Sequence, residues 1–281
     1  MAESIPVSRK YLPNLDGLRF IGSLIIILFH IENAKVLANR DANPNILLYS
    51  PLGDYDVSLF FVLSGFLITY LLFQEKKNSG TIDLKAYYTR RTLRIWPLYF
   101  LILILGFFVL PHLDPYYSDS DATYFYNHFW YLFIMCAFFL SPFVTQSRTM
   151  PQSVGPMWSV RVEELFYLCW PLLIRKSKKY LTLLLGVVIL VLVVRNGLFI
   201  CNHIFGLSEA WGPIFKYTKK TIIEYRISCM AIGGIGAYLV AFEKTKILSI
   251  IYRKDFQWAL YIITIVCLFQ RFGIKTYGKE D

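Results

Sequence analysis

An arginine and a histidine stand inside the first long apolar segment of the chain, LDGLRFIGSLIIILFH, which covers residues 15–30. Arg19 and His30 are separated by a helical rise of roughly 16 Å and by a rotation about 20° from three full turns. We therefore expect both side chains on one face of a helix. An ionisable group inside a membrane helix is costly and usually faces a polar cavity, and a histidine there can act as a general base near neutral pH.

The same pair also has an interpretation that needs no site. Arg19 can extend to the lipid headgroups at one membrane surface, and His30 can pair with Glu32 near the other surface. Both side chains would then share a face by accident, so the spacing favours the polar site.

Three arginines, Arg90, Arg91 and Arg94, lie in YTRRTLRIWPLY, residues 88–99, where a further apolar segment begins. Guanidinium groups match phosphate oxygens in a fork geometry, so the cluster predicts a binding site for an anionic group. Arginines at a cytoplasmic helix end are also ordinary topology anchors, and the sequence leaves both interpretations open.

Two carboxylates, Glu163 and Glu164, follow Arg161 in MWSVRVEELFYLCWP, residues 157–171, at the start of another apolar helix. Glu163 and Tyr167 are four residues apart and therefore share a face of that helix. Carboxylates in a first turn are also favoured by the helix dipole, so one of the two needs no further role.

Ser64 and Arg226 are weaker candidates for a site. Ser64 lies beside Gly65 in FFVLSGFLIT, where small residues allow two helix backbones to approach closely. Arg226 begins RISCMAIGGIGAYL, in which the spacing of Gly233 and Ala237 predicts helix packing and leaves Arg226 as the candidate for chemistry.

Composition indicates a polytopic membrane protein. Of the 281 residues, 56% are hydrophobic and only 17% are charged, and the mean hydropathy is +0.47, which ordinary soluble domains do not show. The net charge of +10 does not indicate a nucleic-acid partner, because the basic residues cluster in short loops beside apolar segments. The five cysteines have no close pair, so neither a disulfide framework nor a metal site is expected.

The apolar segments and the loop charges predict an all-α transmembrane bundle of seven spans in the inner membrane, with a cytoplasmic N-terminus and no cleavable signal. The basic loop 74–94 is expected in the cytoplasm. The segment 129–144 is short for a span, and a re-entrant or interfacial placement of it keeps most later basic residues inside. The predicted spans are residues 15–38, 57–73, 95–110, 158–174, 180–200, 226–242 and 256–272.

Five stretches, taken in order, resemble the acyltransferase-3 family of integral membrane O-acyltransferases, which includes O-antigen and exopolysaccharide acetylases. They are LDGLR with its spacing to His30, FFVLSGFLIT at 60–69, RRTLRIWPLY at 90–99, WSVRVEELFY with Pro171, and RISCMAIGGIGAYL at 226–239. One such stretch alone would be weak support, but five in sequence over about the first 240 residues are specific.

The resemblance implies an enzyme that takes an acyl group, usually acetyl, from a cytoplasmic acyl-CoA and places it on a hydroxyl of a surface or exported glycan, without a metal. It implies that Arg19 and His30 are essential, with His30 as the base or acyl relay. The CoA phosphates would meet the arginine cluster. Glu163 would be a buried polar partner that orients the base, and Ser64 would be structural or contact substrate.

Members of this family usually have about ten spanning helices, so seven spans imply a single domain over residues 1–281 that lacks the last family helices, as a truncated copy or a compact member. Two other classes stay open. One is a transporter or flippase-like protein whose pathway the same charges line, although the chain shows no internal repeat of the kind common in transporters. The other is an inactive relic or a membrane scaffold.

Overall fold

The computed structural model describes residues 13–37, 50–113, 123, 125–140, 154, 157–205 and 226–277. In these residues every regular element is a helix, which confirms the predicted all-α fold. The helices are α1 (Pro13–Leu37), α2 (Ser50–Ser79), α3 (Leu84–Ile104), α4 (Leu110–Leu113), α5 (Phe129–Ala137), α6 (Trp158–Lys176), α7 (Tyr180–Phe205), α8 (Ile227–Ala241), α9 (Thr245–Ile251) and α10 (Lys254–Tyr277). A π-helical turn, Leu105–Val109, joins α3 to α4.

Helices occupy all seven positions at which the sequence predicts a span. Within the described residues, three helical stretches are long and apolar enough to cross a membrane: Val57–Ser79, Leu84–His112 and Tyr180–Ile200. The pair α8 and α9 counts as a fourth if its bend of 117° lies within one span. The apolar character of the bundle therefore agrees with a membrane protein, while the number of seven spans stays a prediction.

The predicted basic loop 74–94 is wrong in extent, because both flanking helices run into it. Helix α2 continues to Ser79 and ends where Gly80 adopts a left-handed φ of 74°, a conformation that glycine adopts without a steric penalty. Helix α3 begins at Leu84, where the side chain of Asp83 accepts a hydrogen bond from the N–H of Ala86 at 3.0 Å. The arginine cluster therefore lies within a helix rather than where one begins.

The segment predicted to be re-entrant or interfacial forms α5, which has nine residues and a length of about 13 Å. That length is less than half of a bilayer's hydrocarbon thickness, so α5 alone is too short to span, and the re-entrant or interfacial placement stays a prediction. The chain turns after the helix, where Phe139 has a φ of 60°. Residues 141–144 of the predicted segment lie outside the described part of the chain.

Helix α2 is the centre of the bundle, since it contacts α1, α6 and α8. Its backbone approaches α8 closely at two glycines. A Cβ atom on Gly65 would overlap the carbonyl oxygen of Met230, and one on Gly233 would overlap the carbonyl oxygen of Val62 and lie 2.7 Å from the N atom of Phe66. The predicted packing role of these small residues is therefore confirmed.

Two lysines at the end of α2 fasten it to two other helices. The Nζ of Lys76 donates to three carbonyl oxygens at the C-terminal end of α6, at 2.9–3.2 Å. The Nζ of Lys77 donates to the carbonyl oxygen of Ala241 at the end of α8, at 2.6 Å. Because the last carbonyls of a helix have no partner within the helix, both lysines satisfy and electrostatically complement a helix end.

Helix α6 packs on α2 through a buried aromatic residue. Trp170 stacks on Phe166 with a ring-centroid distance of 4.4 Å, and its indole N–H donates to the hydroxyl of Thr69 at 2.8 Å. This contact sets the side of α6 that faces α2. The residues one and two turns earlier on that side, toward the N-terminus of α6, therefore also face α2.

Replacing Gly233 by alanine should lower the free energy of unfolding by about 1–3 kcal/mol, because the added Cβ forces two backbones apart. Thermal unfolding of the detergent-solubilised protein measures the change. Gly186→Ala is the matched control, since a Cβ there meets nothing within 4 Å and alanine favours the helix by up to about 1 kcal/mol. Equal free energies of unfolding for the two variants would contradict the close packing of α2 and α8.

Candidate active site

The carboxylate of Glu163 is bound through both of its oxygens. The hydroxyl of Ser64 on α2 donates to Oε1 at 2.8 Å, and the hydroxyl of Tyr167 on α6 donates to Oε2 at 3.1 Å. Ser64 and Tyr167 are themselves buried. A carboxylate that accepts two hydrogen bonds in an apolar bundle is held in one orientation, as a prearranged site requires.

Two features of the sequence place these groups. Tyr167 follows Glu163 by four residues, so both lie on one face of α6 as the spacing predicts. Ser64 directly precedes Gly65, the glycine that packs against α8. Adjacent residues of a helix point in different directions, so Ser64 faces α6 while Gly65 faces α8. The structure therefore brings together three of the predicted site residues.

Two guanidinium groups attract this carboxylate electrostatically. Arg91 on α3 stands over the ring of Tyr167, 5.1 Å from the ring centroid, and attracts Glu163 electrostatically. Arg19 on α1 exerts the same kind of attraction on Glu163. The site therefore joins residues from four helices: α1, α2, α3 and α6.

His30 lies on α1 beyond this group. It is half-buried, and its imidazole makes an edge-to-face contact with the ring of Phe29 at 5.6 Å. Glu32, the partner considered for it, forms an ion pair with Lys35 at 2.6 Å. Among the described residues no hydrogen bond joins the imidazole to Glu163. Helix α1 thus brings Arg19 within electrostatic reach of the carboxylate, and His30 lies about three turns further along the helix.

The three arginines of α3 do not act as one group. Arg90 is exposed and forms an ion pair with Glu75 at 3.4 Å. Arg94, one turn further on the same face, is exposed and has no ion pair with another described residue. Arg91 is rotated by about 100° from Arg90 and turns inward to Tyr167. The cluster is therefore divided between an exposed face and the carboxylate site.

Arg226 lies at the beginning of α8, with a left-handed φ of 41°. Its guanidinium donates to the hydroxyl of Ser58 on α2. This bond fastens the first turn of α8 to α2, close to where the two helices pack through their glycines.

A second polar group on α6 escaped the sequence reasoning. Arg161 is buried, and its Nη1 donates to the sulfur of Cys136 on α5 at 3.6 Å. Glu164 accepts a hydrogen bond from the indole N–H of Trp96 on α3 at 3.2 Å. The spacing of three residues between Arg161 and Glu164 was the available signal, but nothing in the sequence identified the facing residues on α3 and α5.

Within the described residues, no three His, Cys, Asp or Glu side chains come together in a way that could hold a metal ion. The polar groups described above are hydrogen-bond donors, acceptors and fixed charges. They can bind, orient and stabilise charge, and His30 can move a proton.

Comparison with known proteins relates most of the chain to one family. The sequence model of an acyltransferase domain, that of the acyltransferase-3 family, matches residues 12–278. A peptidoglycan O-acetyltransferase of Listeria monocytogenes is 30% identical over 198 residues, which are 67% of this chain and 29% of the relative. A candidate peptidoglycan O-acetyltransferase of Bacillus subtilis is 28% identical over 193 residues, 64% of this chain and 27% of the relative.

A candidate O-acetyltransferase of Staphylococcus aureus is 28% identical over 296 residues, which cover 92% of this chain and 44% of the relative. The chain thus spans less than half the length of these curated relatives. No solved structure matches it.

Removing either hydrogen bond to Glu163 should lower the free energy of unfolding. Ser64→Ala and Tyr167→Phe each delete one hydroxyl, with an expected cost of about 1–3 kcal/mol because a buried oxygen of Glu163 then loses its hydrogen bond. In a Glu163→Gln background each deletion should cost at least about 0.5 kcal/mol less, since the residues are coupled. Unfolding of the single and double variants in detergent measures this coupling.

Tyr180→Phe is the control for that cycle. Its ring packs on Phe73 at 4.7 Å, and its hydroxyl has no hydrogen bond within the described residues. Its loss should cost little in either background. Coupling of the same size for Tyr180 and Tyr167 would contradict the bonded carboxylate.

Proposed function

We propose a reaction for this chain, which belongs to the acyltransferase-3 family: it transfers an acetyl group from acetyl-CoA to a hydroxyl of a cell-envelope glycan. Family membership and the relatives named as peptidoglycan O-acetyltransferases support this reaction class. The structural observation that carries the proposal is the bonded carboxylate of Glu163, with guanidinium groups from two other helices beside it.

The donor binds at the exposed face of α3. Arg90 and Arg94 are one turn apart there and face away from the bundle core. CoA carries a dianionic phosphate and a pyrophosphate. The planar guanidinium of arginine can donate two parallel hydrogen bonds to phosphate oxygens, which makes arginine well suited to bind them. The excess of basic residues near this end of the bundle supports its placement on the cytoplasmic side of the inner membrane, with the N-terminus also in the cytoplasm.

The chemistry takes place between Arg19 and His30. The imidazole of His30 removes the proton of the acceptor hydroxyl, and the oxygen attacks the thioester carbonyl of the donor. The C–O bond forms, the C–S bond breaks, and the CoA thiolate takes up the proton that the imidazolium holds. The acyl group thus moves without an oxidant or a metal.

Glu163 is a positioning residue in this scheme. Its carboxylate is anchored by two hydroxyls and attracts Arg19 and Arg91. It thereby fixes two positive charges at the inner end of the site, where they attract the anionic donor and hold it in place. In a bundle of low polarity such fixed charges are more effective than they would be in water.

The pantetheine arm of CoA connects the two ends of the site. The arginines of α3 lie on the proposed cytoplasmic side, and His30 lies about 16 Å outward from Arg19 along α1. An extended arm reaches a distance of that order. The acceptor hydroxyl then approaches from the outer half of the membrane, where exported glycans are available.

His30→Ala should abolish glycan acetylation, because it deletes the proposed base. It should not lower the amount of protein in the membrane, because the imidazole forms no hydrogen bond within the described residues. Mass spectrometry of the released acetyl esters, alongside immunoblotting of membranes, measures both quantities. His112→Ala is the control, since His112 is exposed at the end of α4. Acetylation that persists in His30→Ala would overturn the mechanism.

Arg94→Ala should weaken acetyl-CoA binding roughly tenfold, as expected for the loss of one charge-assisted contact. Isothermal titration of the solubilised protein with acetyl-CoA measures the affinity. Arg253→Ala removes another exposed arginine, which is paired with Asp255 at 3.1 Å and lies far along the chain from the proposed site. Unchanged affinity in Arg94→Ala, or an equal loss in Arg253→Ala, would remove α3 from the donor site.

A further inference from the structure

Helix α6 carries a second polar face in addition to the one that bears Glu163. Arg161 and Glu164 are three residues apart and lie on the same side of the helix. Glu163 is rotated by about 200° from Arg161 and points toward α2 instead. The side that bears Arg161 and Glu164 faces α3 and α5, through Trp96 and Cys136.

Both side chains on this face have a buried polar atom without a hydrogen-bond partner. Arg161 is 2% exposed, and its Nε is unpaired although its Nη1 reaches Cys136. Glu164 uses Oε2 for Trp96, while its buried Oε1 has no partner. No carboxylate forms an ion pair with Arg161 within the described residues.

A buried polar atom without a hydrogen bond lowers the stability of a folded protein. Its presence therefore calls for an explanation, and a ligand that forms the missing hydrogen bond is one. Arg161 offers a donor and Glu164 offers an acceptor. A phosphate or carboxylate would meet repulsion from Glu164, and a cation would meet repulsion from Arg161. A neutral hydroxyl suits both, because its oxygen accepts from the guanidinium and its hydrogen donates to the carboxylate.

An aromatic surface adjoins Glu164. The indole of Trp96 is 38% exposed and is fixed by its bond to Glu164 and by ring contacts with Phe100 at 5.8 Å and Phe139 at 5.9 Å. A rigid indole with one open side can cover the apolar C–H face of a sugar ring, while the neighbouring polar atoms bind its hydroxyls. The group is therefore complementary to a carbohydrate.

Rotation round α3, not distance along it, separates the second face from the proposed donor arginines. Trp96 follows Arg94 by two residues, which is a rise of about 3 Å and a rotation of about 200°. Glu164 is within electrostatic reach of Glu163 and Arg91, so the second face adjoins the carboxylate site.

We propose that Arg161, Glu164 and Trp96 form the subsite that binds the acceptor carbohydrate, through hydroxyls that are not acylated. That the bound carbohydrate is the acceptor rests on the proposed acetyl transfer. That these side chains bind a carbohydrate hydroxyl does not. It predicts an unusual combination of effects, because a buried charge kept for a ligand weakens the protein that carries it.

Arg161→Met tests this combination in the solubilised full chain. The expected result is a thermal unfolding midpoint equal to or above that of the wild type, together with at least a tenfold loss of affinity for N,N′-diacetylchitobiose, a soluble disaccharide probe. The affinity for acetyl-CoA should change by less than twofold. Glu164→Gln, which keeps the size and the bond from Trp96, should likewise weaken disaccharide binding and raise the acceptor KM while leaving the donor KM unchanged.

Leu168→Ala is the control on the same helix, since Leu168 is 56% exposed and apolar; it should change neither affinity. A lower unfolding midpoint in Arg161→Met with parallel losses of donor and disaccharide affinity would show a structural role and overturn the proposal. So would a wild type that does not bind the disaccharide, or a Glu164→Gln variant that binds it unchanged.

Failure of the two proposals can be told apart. A wild type that binds the disaccharide, with the expected losses in both variants, but transfers no acetyl group contradicts only the proposed reaction. A wild type that transfers acetyl while Glu164→Gln keeps its acceptor KM contradicts only the subsite.

Discussion

The site depends on a carboxylate held inside an apolar bundle. Burial of an ionised carboxylate is strongly unfavourable unless hydrogen bonds and opposite charges compensate it. For Glu163 these come from four helices: hydroxyls from α2 and α6, and guanidinium groups from α1 and α3. The compensation therefore fixes the arrangement of these helices as well as the site.

The bundle can meet this constraint because α2 is held rigidly on several sides. Gly65 and Gly233 let α2 and α8 approach to backbone contact, and Trp170 packs α6 against α2 through its bond to Thr69. Lys76 and Lys77 then tie the end of α2 to the ends of α6 and α8. A helix held in this way presents Ser64 to Glu163 without the loss of side-chain and backbone entropy that a mobile element would incur.

Helix α6 divides the polar chemistry between two faces. One face turns Glu163 toward α2 and is fully hydrogen-bonded, whereas the other turns Arg161 and Glu164 toward α3 and α5 with polar atoms left over. The first is typical of a prearranged centre, and the second of a surface that a ligand completes. An acyltransferase needs both, because its donor and its acceptor must meet in one cavity and still bind separately.

The sequence alone determined the class of the protein, the all-α fold, the family resemblance, the sharing of a face by Glu163 and Tyr167, and the packing role of Gly65 and Gly233. These follow from composition and from helical spacing, which are local properties. It did not determine that Arg91 leaves its neighbours for Tyr167, that the loop 74–94 is mostly helix, or that Arg161 faces Cys136. Those were decided by the tertiary structure, because a rotation of about 100° per residue sends adjacent side chains to different helices, and only packing selects which helix each one meets.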